Sequence, residues 1–560
     1  MSDLANEAPQ TALLSVYDKT GIEEFAEGLA GMDWALMASG GTKKRIEDAG
    51  VPVSDVAELV GGEAILGHRV VTLSREVSAG VLADLDSAED MAELSALGIP
   101  VINLVCVDPY PMEAAIREPG ATHKSVVQQT DIGGPTLLRE AAKGGRIVVS
   151  VAEQRRQVLE WLEAGRPDEA AFLHELAARA VYEVARYTAM EAEHYNGDNV
   201  AIFIGKKVAP TKYGENAWQV PAGLYADNRI DVDPLGLDQF EHVKGWEQSF
   251  VNTTDMDSLL QTSTHIAAGF ERNFGTVPPM AVGVKHGNAC GAGVGETLDE
   301  AVQKMLEGDT RAIFGGVVMI NGVIDKNIAE SLMYHAMEGD AKRLLDGVVA
   351  AGVDDEALEI LSRDKLRVVV NPALADLSEA SLDTSPRLRQ VRGGMLKQPN
   401  YTFVQDLGAE HMEFHGEFTD QQRQDMILAW AIGSTSNSNT ITLVKDGKLI
   451  GNGAGQQDRV GAAQLAISRT SIAPPDFGYD TEGALLQVFL DEAKLDGAVA
   501  YSDSFFPFPD GPKLLADAGI TAILTSRGSI GDAVVIETLT DTGVSVATVP
   551  DAIGRGFAKH

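Results

Sequence analysis

Residues 11–50 read TALLSVYDKTGIEEFAEGLAGMDWALMASGGTKKRIEDAG. Two short apolar runs, TALLSVYD and WALMAS, are each followed by a stretch with apolar residues at helical spacing, GIEEFAEGLAG and then TKKRIEDAG. Apolar runs of this length, too short for helices and without polar alternation, fit strands covered on both faces, as in a parallel sheet flanked by crossover helices. The rhythm returns at VINLVCVD (101–108) and RIVVSVA (146–152). An open parallel α/β sheet is therefore expected over residues 1–167.

Past Asp168, the residues Leu173, Leu176, Ala180, Val184 and Tyr187 recur at helical spacing. This predicts an amphipathic connector over 168–198, closed by the turn-forming Asn196-Gly197-Asp198. Two further α/β regions are expected at 199–400 and 401–560. The segment RLRQVRGGMLKQPN (387–400) reads as a polar link between them, and no short-period repeat is visible.

Composition narrows the function. The 560 residues carry 82 acids against 45 bases, a net charge of -37. Such a surface repels nucleic acid, and its self-repulsion weakens folding unless salt screens it. The Debye length falls to about 3 Å at 1 M salt, so the balance points to a salt-rich cytoplasm. Neither a signal peptide nor an apolar stretch of membrane-spanning length is read in the sequence, so a cytoplasmic protein with no membrane partner is expected. Only Cys106 and Cys290 are present, which argues against a disulfide framework and a multi-cysteine metal site.

Several loops carry chemistry. Ser39-Gly40-Gly41-Thr42 joins a strand to a helix expected near Lys43, where glycines and free N–H groups suit a phosphate. Ser15 and Lys19 follow the first strand, and Asp131-Ile132-Gly133-Gly134 opens a helix bearing Arg139 and Lys143. In VKHGNACGAG (284–293), Lys285 and His286 stand side by side at a strand end before a glycine-rich turn, a pair able to divide proton transfer. KYGEN (212–216), FGG (314–316), NSN (437–439) and GNGAGQQDR (451–459) are further site loops, the last placing Arg459 among small residues. SDSFFPFPDG (502–511) sets three phenylalanines beside acids, a pattern suited to stacking a flat heterocycle.

Taken in order, SVYDKTG, SGGT, DIGGPTLLREAAK, KYGEN, VKHGNACGAG, FGG, GNGAGQQDRV, SDSFFPFPDG and GSIGDAVVIE resemble the bifunctional purine-biosynthesis family that joins aminoimidazole carboxamide ribonucleotide (AICAR) transformylase to inosine monophosphate (IMP) cyclohydrolase. The resemblance implies a methylglyoxal-synthase-like N-terminal domain followed by two cytidine-deaminase-like α/β domains. It also implies a homodimer with shared active sites, AICAR, formyl-AICAR and IMP as ligands, 10-formyltetrahydrofolate as co-substrate and no required metal. Lys285 and His286 match the catalytic pair. Lys212, Tyr213, Asn252, Gly316, Asp346, Asn439, Arg459, Phe505 and Arg555 match nucleotide positions, and Asp510 an acid near the pterin. Ser15, Lys19, Ser39, Gly40, Gly41, Thr42, Tyr110, Asp131 and Lys143 match the cyclohydrolase-type site.

The chain departs from the family pattern at three places. Lys212 stands where an arginine is usual, which keeps the charge but loses the bidentate fork. Trp218 replaces a histidine in Asn216-Ala217-Trp218-Gln219. In the stretch from Arg69 to Ser78, Val71 replaces the lysine used in ring closure, and Ser74 and Ser78 replace histidines. Valine neither carries charge nor transfers a proton.

A zinc deaminase needs His-x-Glu with Pro-Cys-x-x-Cys, and this chain has no such cysteine pair. A methylglyoxal-synthase-like lyase leaves the C-terminal two thirds unexplained. A nucleotide-binding regulatory or scaffold protein with a degenerate N-terminal site is the alternative that Lys285 and His286 oppose. The charge generates a first prediction: the thermal midpoint, followed by circular dichroism, rises steadily from 0.1 to 2 M KCl, and a flat or falling midpoint contradicts the salt-adapted reading.

Overall fold

The computed structural model describes residues 9–66, 70–226, 232–309, 312–337, 339, 341–470 and 495–560. The chain divides into two compact units, one formed by residues up to 205 and the other by 206–226 with 232–560.

In the first unit, the apolar runs of the sequence become the parallel strands Thr11–Val16 (β1), Ala35–Ala38 (β2), Ser54–Asp55 (β3), Ile102–Asp108 (β4) and Ile147–Val149 (β5), in the order β3-β2-β1-β4-β5. Ala12, Leu13 and Leu14 are fully buried, as expected for a strand covered on both faces. Strand order reverses between β1 and β4, so the loops leaving their carboxyl ends part there and open a crevice. Helices Ile22–Gly31 (α1), Gly40–Asp48 (α2) and Gly133–Lys143 (α3) accompany the sheet. The helix expected near Lys43 in fact starts at Gly40, which draws the two glycines into its first turn. The connector forms as the helix Glu169–Asn196 (α4), which buries Leu176, Ala180, Val184 and Tyr187 and belongs to the first unit.

The second unit is built on one twelve-stranded sheet. It begins with an antiparallel pair, Lys206–Thr211 (β6) and Ala222–Ala226 (β7), outside that sheet. One half of the sheet comprises Glu241–Lys244 (β8), the helix Phe250–Phe274 (α5), the hairpin Met280–Lys285 (β9) and Asn288–Val294 (β10), the helix Leu298–Leu306 (α6), then Val317–Ile324 (β11), Gly347–Val353 (β12) and Arg367–Val370 (β13). The segment read as a polar link forms an exposed hairpin, Arg387–Val391 (β14) and Gly394–Gln398 (β15). The other half repeats the first: Glu413–His415 (β16), the helix Asp420–Ser434 (α7), the hairpin Ile441–Lys445 (β17) and Lys448–Gly453 (β18), the helix Arg459–Arg469 (α8), then Val499–Ser502 (β19), Ala522–Arg527 (β20) and Ser545–Pro550 (β21).

Pairing confirms the duplication. β9 and β10 are antiparallel, β11 runs antiparallel to β9, β11, β12 and β13 are mutually parallel, and β8 closes the edge antiparallel to β13. β17 through β21 and β16 repeat each relation. The halves join where β10 pairs antiparallel with β18. Over the seam lie α5 and α7, buried together in one core. Every residue of α7 from Asp425 to Ser434 is buried, with Trp430 fully so. A helix apolar on so many sides belongs in an interior.

The edge depends on one glycine. Gly245 has φ +92°, and a Cβ there would lie 1.9 Å from the Leu366 carbonyl oxygen. Gly245→Ala is expected to cost at least about 2 kcal/mol, read as a lower urea midpoint for the second unit. An unchanged midpoint would show the edge to be looser than described.

Candidate functional site

The β9–β10 hairpin turns on two residues, His286 at φ +53° and Gly287 at φ +76°. Positive φ at both central positions is the type I′ pattern, whose twist matches antiparallel strands, and Lys285 and Asn288 pair across it. Glycine adopts this backbone freely; histidine does so only when its surroundings hold it there. They do. Gly287 N donates to Oδ1 of Asp255, a buried residue of α5, at 2.7 Å, and Lys559 Nζ donates to Gly287 O at 3.0 Å and to Ser258 Oγ at 2.6 Å. Burial pushes Asp255 above the usual carboxylate range, against the Gly287 bond and the nearby His286. Burial lowers the Lys559 ammonium to about 8.

Lys285 Nζ donates to Phe314 O at 2.7 Å. Asn288 Oδ1 accepts from Asn437 N at 2.9 Å, which ties the first half-sheet to the second. Lys285, His286, Asn288, Asn452 and Arg469 border a hollow of about 530 Å³ at the β10–β18 seam. Cys290 lines it as a buried thiol that burial pushes up to about 12, so it is no nucleophile. Asn452 Nδ2 bridges Ala289 O and Ser436 Oγ, both at 3.0 Å.

Most remaining predicted positions fall on two flanks, one to each half of the unit, and none of them lines the hollow. On one, Gly316 backs onto Val284, where a Cβ would lie 2.9 Å from its carbonyl oxygen. Asp346 N donates to Gly316 O at 2.9 Å, and Arg367 Nη1 to Asp346 O at 3.2 Å. Arg367, which the sequence reading passed over, also lies within electrostatic reach of Tyr213. Tyr213 and exposed Lys212 belong to a loop closed by Gly214 N donating to Gln219 O at 2.9 Å. Trp218 in the same loop is 78% exposed. Asn252 is buried on α5 one turn before Asp255, and its Oδ1 accepts from Ser249 Oγ at 2.6 Å.

On the other flank, Asn439 Nδ2 donates to Gln456 O at 3.0 Å, and Arg459 Nη2 reaches Oδ1 of buried Asp503 at 3.1 Å. Thr440 N donates to the second Asp503 oxygen at 2.9 Å. Burial raises Asp503 to about 6 even so. Arg555 Nε donates to Asp551 Oδ2 at 2.8 Å, while Ser504 and Ser526 hydroxyls donate to Asp551 Oδ1 at 2.6 Å. Phe505 is half-buried and Phe508 exposed. Phe506 packs in the core, which removes one of the three rings from any stacking role. Asp510 is exposed at the start of the helix Asp510–Asp517, its Oδ1 accepting from Gly511 N at 2.8 Å.

In the first unit, the crevice beside β1 collects Ser15 and Ser39, whose hydroxyls meet at 3.0 Å, with Thr42 Oγ1 donating to Val16 O at 3.1 Å. The Ser39 side chain makes no cap bond to α2. Lys19 donates to Val16 O, and burial lowers its pKa. Tyr110 meets Tyr17 edge-on at 5.3 Å between ring centroids. Asp131 accepts from Gly134 N at 2.9 Å and Tyr110 N at 3.4 Å, and burial raises its pKa. Lys143 is not brought to this cluster: it ends α3, ~15 Å along the axis from Gly133.

Comparison with known proteins decides the family. The model described as AICARFT/IMPCHase bienzyme matches residues 141–469, and that of an MGS-like domain matches 21–136. The chain is 33% identical over 93% of its length to the bifunctional purine biosynthesis protein PurH of Staphylococcus carnosus, covering 94% of that protein. It is 34% identical over 96% of its length to PurH of Anoxybacillus flavithermus, covering 97%. The chain belongs to the AICARFT/IMPCHase bienzyme family.

Within that bienzyme frame, the N-terminal departures take on structural work. Val71 packs against the core of the MGS-like domain. Ser74 caps the helix Arg75–Leu82, accepting from Val77 N at 3.1 Å, and Ser78 Oγ donates to Glu140 at 2.9 Å. Arg69 lies outside the described residues.

Asp503 generates a pH prediction. Its folded pKa of about 6 exceeds the ordinary 3.8, so between those values the folded state binds more protons and its stability falls as pH rises. The stability of wild type minus that of Asp503→Asn is expected to decline from pH 4 to 6 in urea titrations. A difference that grows over that window contradicts the assignment.

Proposed function

We propose that this bienzyme transfers the formyl group of 10-formyltetrahydrofolate to the 5-amino group of AICAR on the path to IMP, with Lys285 and His286 as the reacting pair. The observation that supports this is the I′ turn, whose His286 and neighbouring Lys285 both line one hollow of about 530 Å³.

The chemistry needs both groups. The AICAR amine is a poor nucleophile because its lone pair is delocalised towards the carboxamide. As nitrogen attacks the formyl carbon, His286 takes the amine proton. The carbonyl π electrons move to oxygen, where Lys285 stabilises the negative charge. Collapse re-forms the carbonyl, breaks the bond from carbon to the folate nitrogen, and returns a proton to that nitrogen. Lys285 must exchange its bond to Phe314 O for one to the reacting oxygen.

Lys212, Tyr213, Asn252, Gly316 and Asp346 on one flank, and Asn439, Arg459, Phe505 and Arg555 on the other, are the nucleotide-holding set in this reading, with Asp510 facing the pterin. The duplicated half-sheets support a cytidine-deaminase-like reading of residues 199–400 and 401–560. The two flanks would then be completed in a cytoplasmic homodimer with shared sites.

Family membership also brings ring closure to the N-terminal unit. The crevice retains Ser15, Lys19, Ser39, Gly40, Gly41, Thr42, Tyr110 and Asp131, enough to hold a nucleotide phosphate at the start of α2. Val71 supplies no charge there, so ring closure is expected to lag behind formyl transfer.

In an assay at molar salt with AICAR and 10-formyltetrahydrofolate, open-chain formyl-AICAR is expected to accumulate; immediate stoichiometric IMP would contradict the lag. His286→Ala should lower formyl transfer by about a hundredfold or more while leaving AICAR affinity nearly unchanged. Unaltered turnover in that variant would remove His286 from the mechanism.

A further inference from the structure

The two half-sheets repeat more than strand order. VKHGN at 284–288 and VKDGK at 444–448 occupy the same hairpin turn in the two copies. In the second, Asp446 and Gly447 have φ +54° and +71°, the same doubly left-handed backbone. Beneath each turn stands a buried carboxylate from the central helix of its own half. Asp255 on α5 accepts from Gly287 N at 2.7 Å; Asp425 on α7 accepts from Gly447 N at 2.7 Å and Asp446 N at 2.9 Å. Asp255 is 4% exposed and Asp425 2%.

Neither carboxylate belongs to the reacting or ligand-holding groups above. A buried charge is costly unless its hydrogen bonds are made, and in both places turn N–H groups supply them. The clamp in the second half carries Asp446 where the first carries His286. One device therefore occurs twice in one molecule, once beneath an imidazole and once without.

We propose that Asp255 is a positioning residue for formyl transfer: by holding the Gly287 N–H it fixes the left-handed His286 backbone and so aims the imidazole, while Asp425 makes the same clamp for folding alone. This rests on His286 being the base. The carbonyl side of the same turn is held by Lys559 at 3.0 Å, so the His286–Gly287 segment is gripped from both faces.

The test compares Asp255→Ala with Asp425→Ala in the full chain at molar salt, measuring thermal midpoint, AICAR affinity and formyl-transfer kcat for each. Both variants are expected to lose stability, since each leaves a turn N–H without its acceptor. Only Asp255→Ala should lose kcat, by tenfold or more, with AICAR affinity within threefold of wild type. Equal kcat losses in the two variants would make Asp255 merely structural, and wild-type kcat in Asp255→Ala would overturn the proposal outright. If Asp255→Ala does not fold, Asp255→Glu, which keeps the charge at the wrong reach, is measured with the same outcomes. His286→Ala run in parallel separates the failures: full activity there sinks the catalytic reading itself, whereas loss there beside wild-type kcat in Asp255→Ala sinks only the clamp.

Discussion

The two-residue turn between β9 and β10 takes the I′ form, which matches the strand twist by holding both central residues at positive φ, and here one of them is histidine. That backbone is strained for a side chain with a Cβ and persists because Asp255 and Lys559 bind the peptide on either side of Gly287. In the proposed reaction the arrangement has a chemical use. The turn closes two central strands of the twelve-stranded sheet, and Lys285 and His286 both line the hollow beside it. The proposed base and cation are thus carried by the sheet, which is the rigid part of the unit.

The turn in its turn depends on the seam. β10 pairs with β18, and α5 and α7 are buried together over the join. Duplication gives each half a hairpin, a central helix and a buried acid, but only one hairpin carries an imidazole. The seam also brings Asn437 of the second half onto Asn288 of the first, so the half without the histidine still braces the half that has it. In the N-terminal unit the same economy runs the other way. The crevice forms from topology alone, while the positions where the family resemblance places a lysine and two histidines are given over to core packing, helix capping and a bond to Glu140.

The parallel sheet of the first unit was legible in TALLSVYD, WALMAS and VINLVCVD because strands covered on both faces leave unbroken apolar runs. The long helix from Glu169 was legible from its spacing. The hairpin at 387–398 was not, since both its faces are exposed and it carries no apolar alternation. Helix α2 starts three residues before its expected position because glycines rank low as helix formers, whereas the first turn of a helix tolerates them. Lys285 and His286 stood out as a pair of ionisable residues before a glycine turn. Asp255, Lys559, Arg367 and Asp503 did not stand out as partners, because each acts through contacts distant in sequence. The repeat was hidden for a related reason: it is a repeat of strand order, and only five residues of hairpin show it in letters. The three phenylalanines fit either a core or a stacking surface by their letters, and Phe506 proves to be core.

The central claim is that an imidazole held on a left-handed turn, with an ammonium beside it, activates a sluggish ring amine. A crystal structure with bound AICAR measures this most directly. The exocyclic amine should lie within hydrogen-bonding distance, about 3 Å, of a His286 ring nitrogen. A nucleotide seated with its amine turned away from both His286 and Lys285, with no rotamer of either able to reach it, would contradict the account.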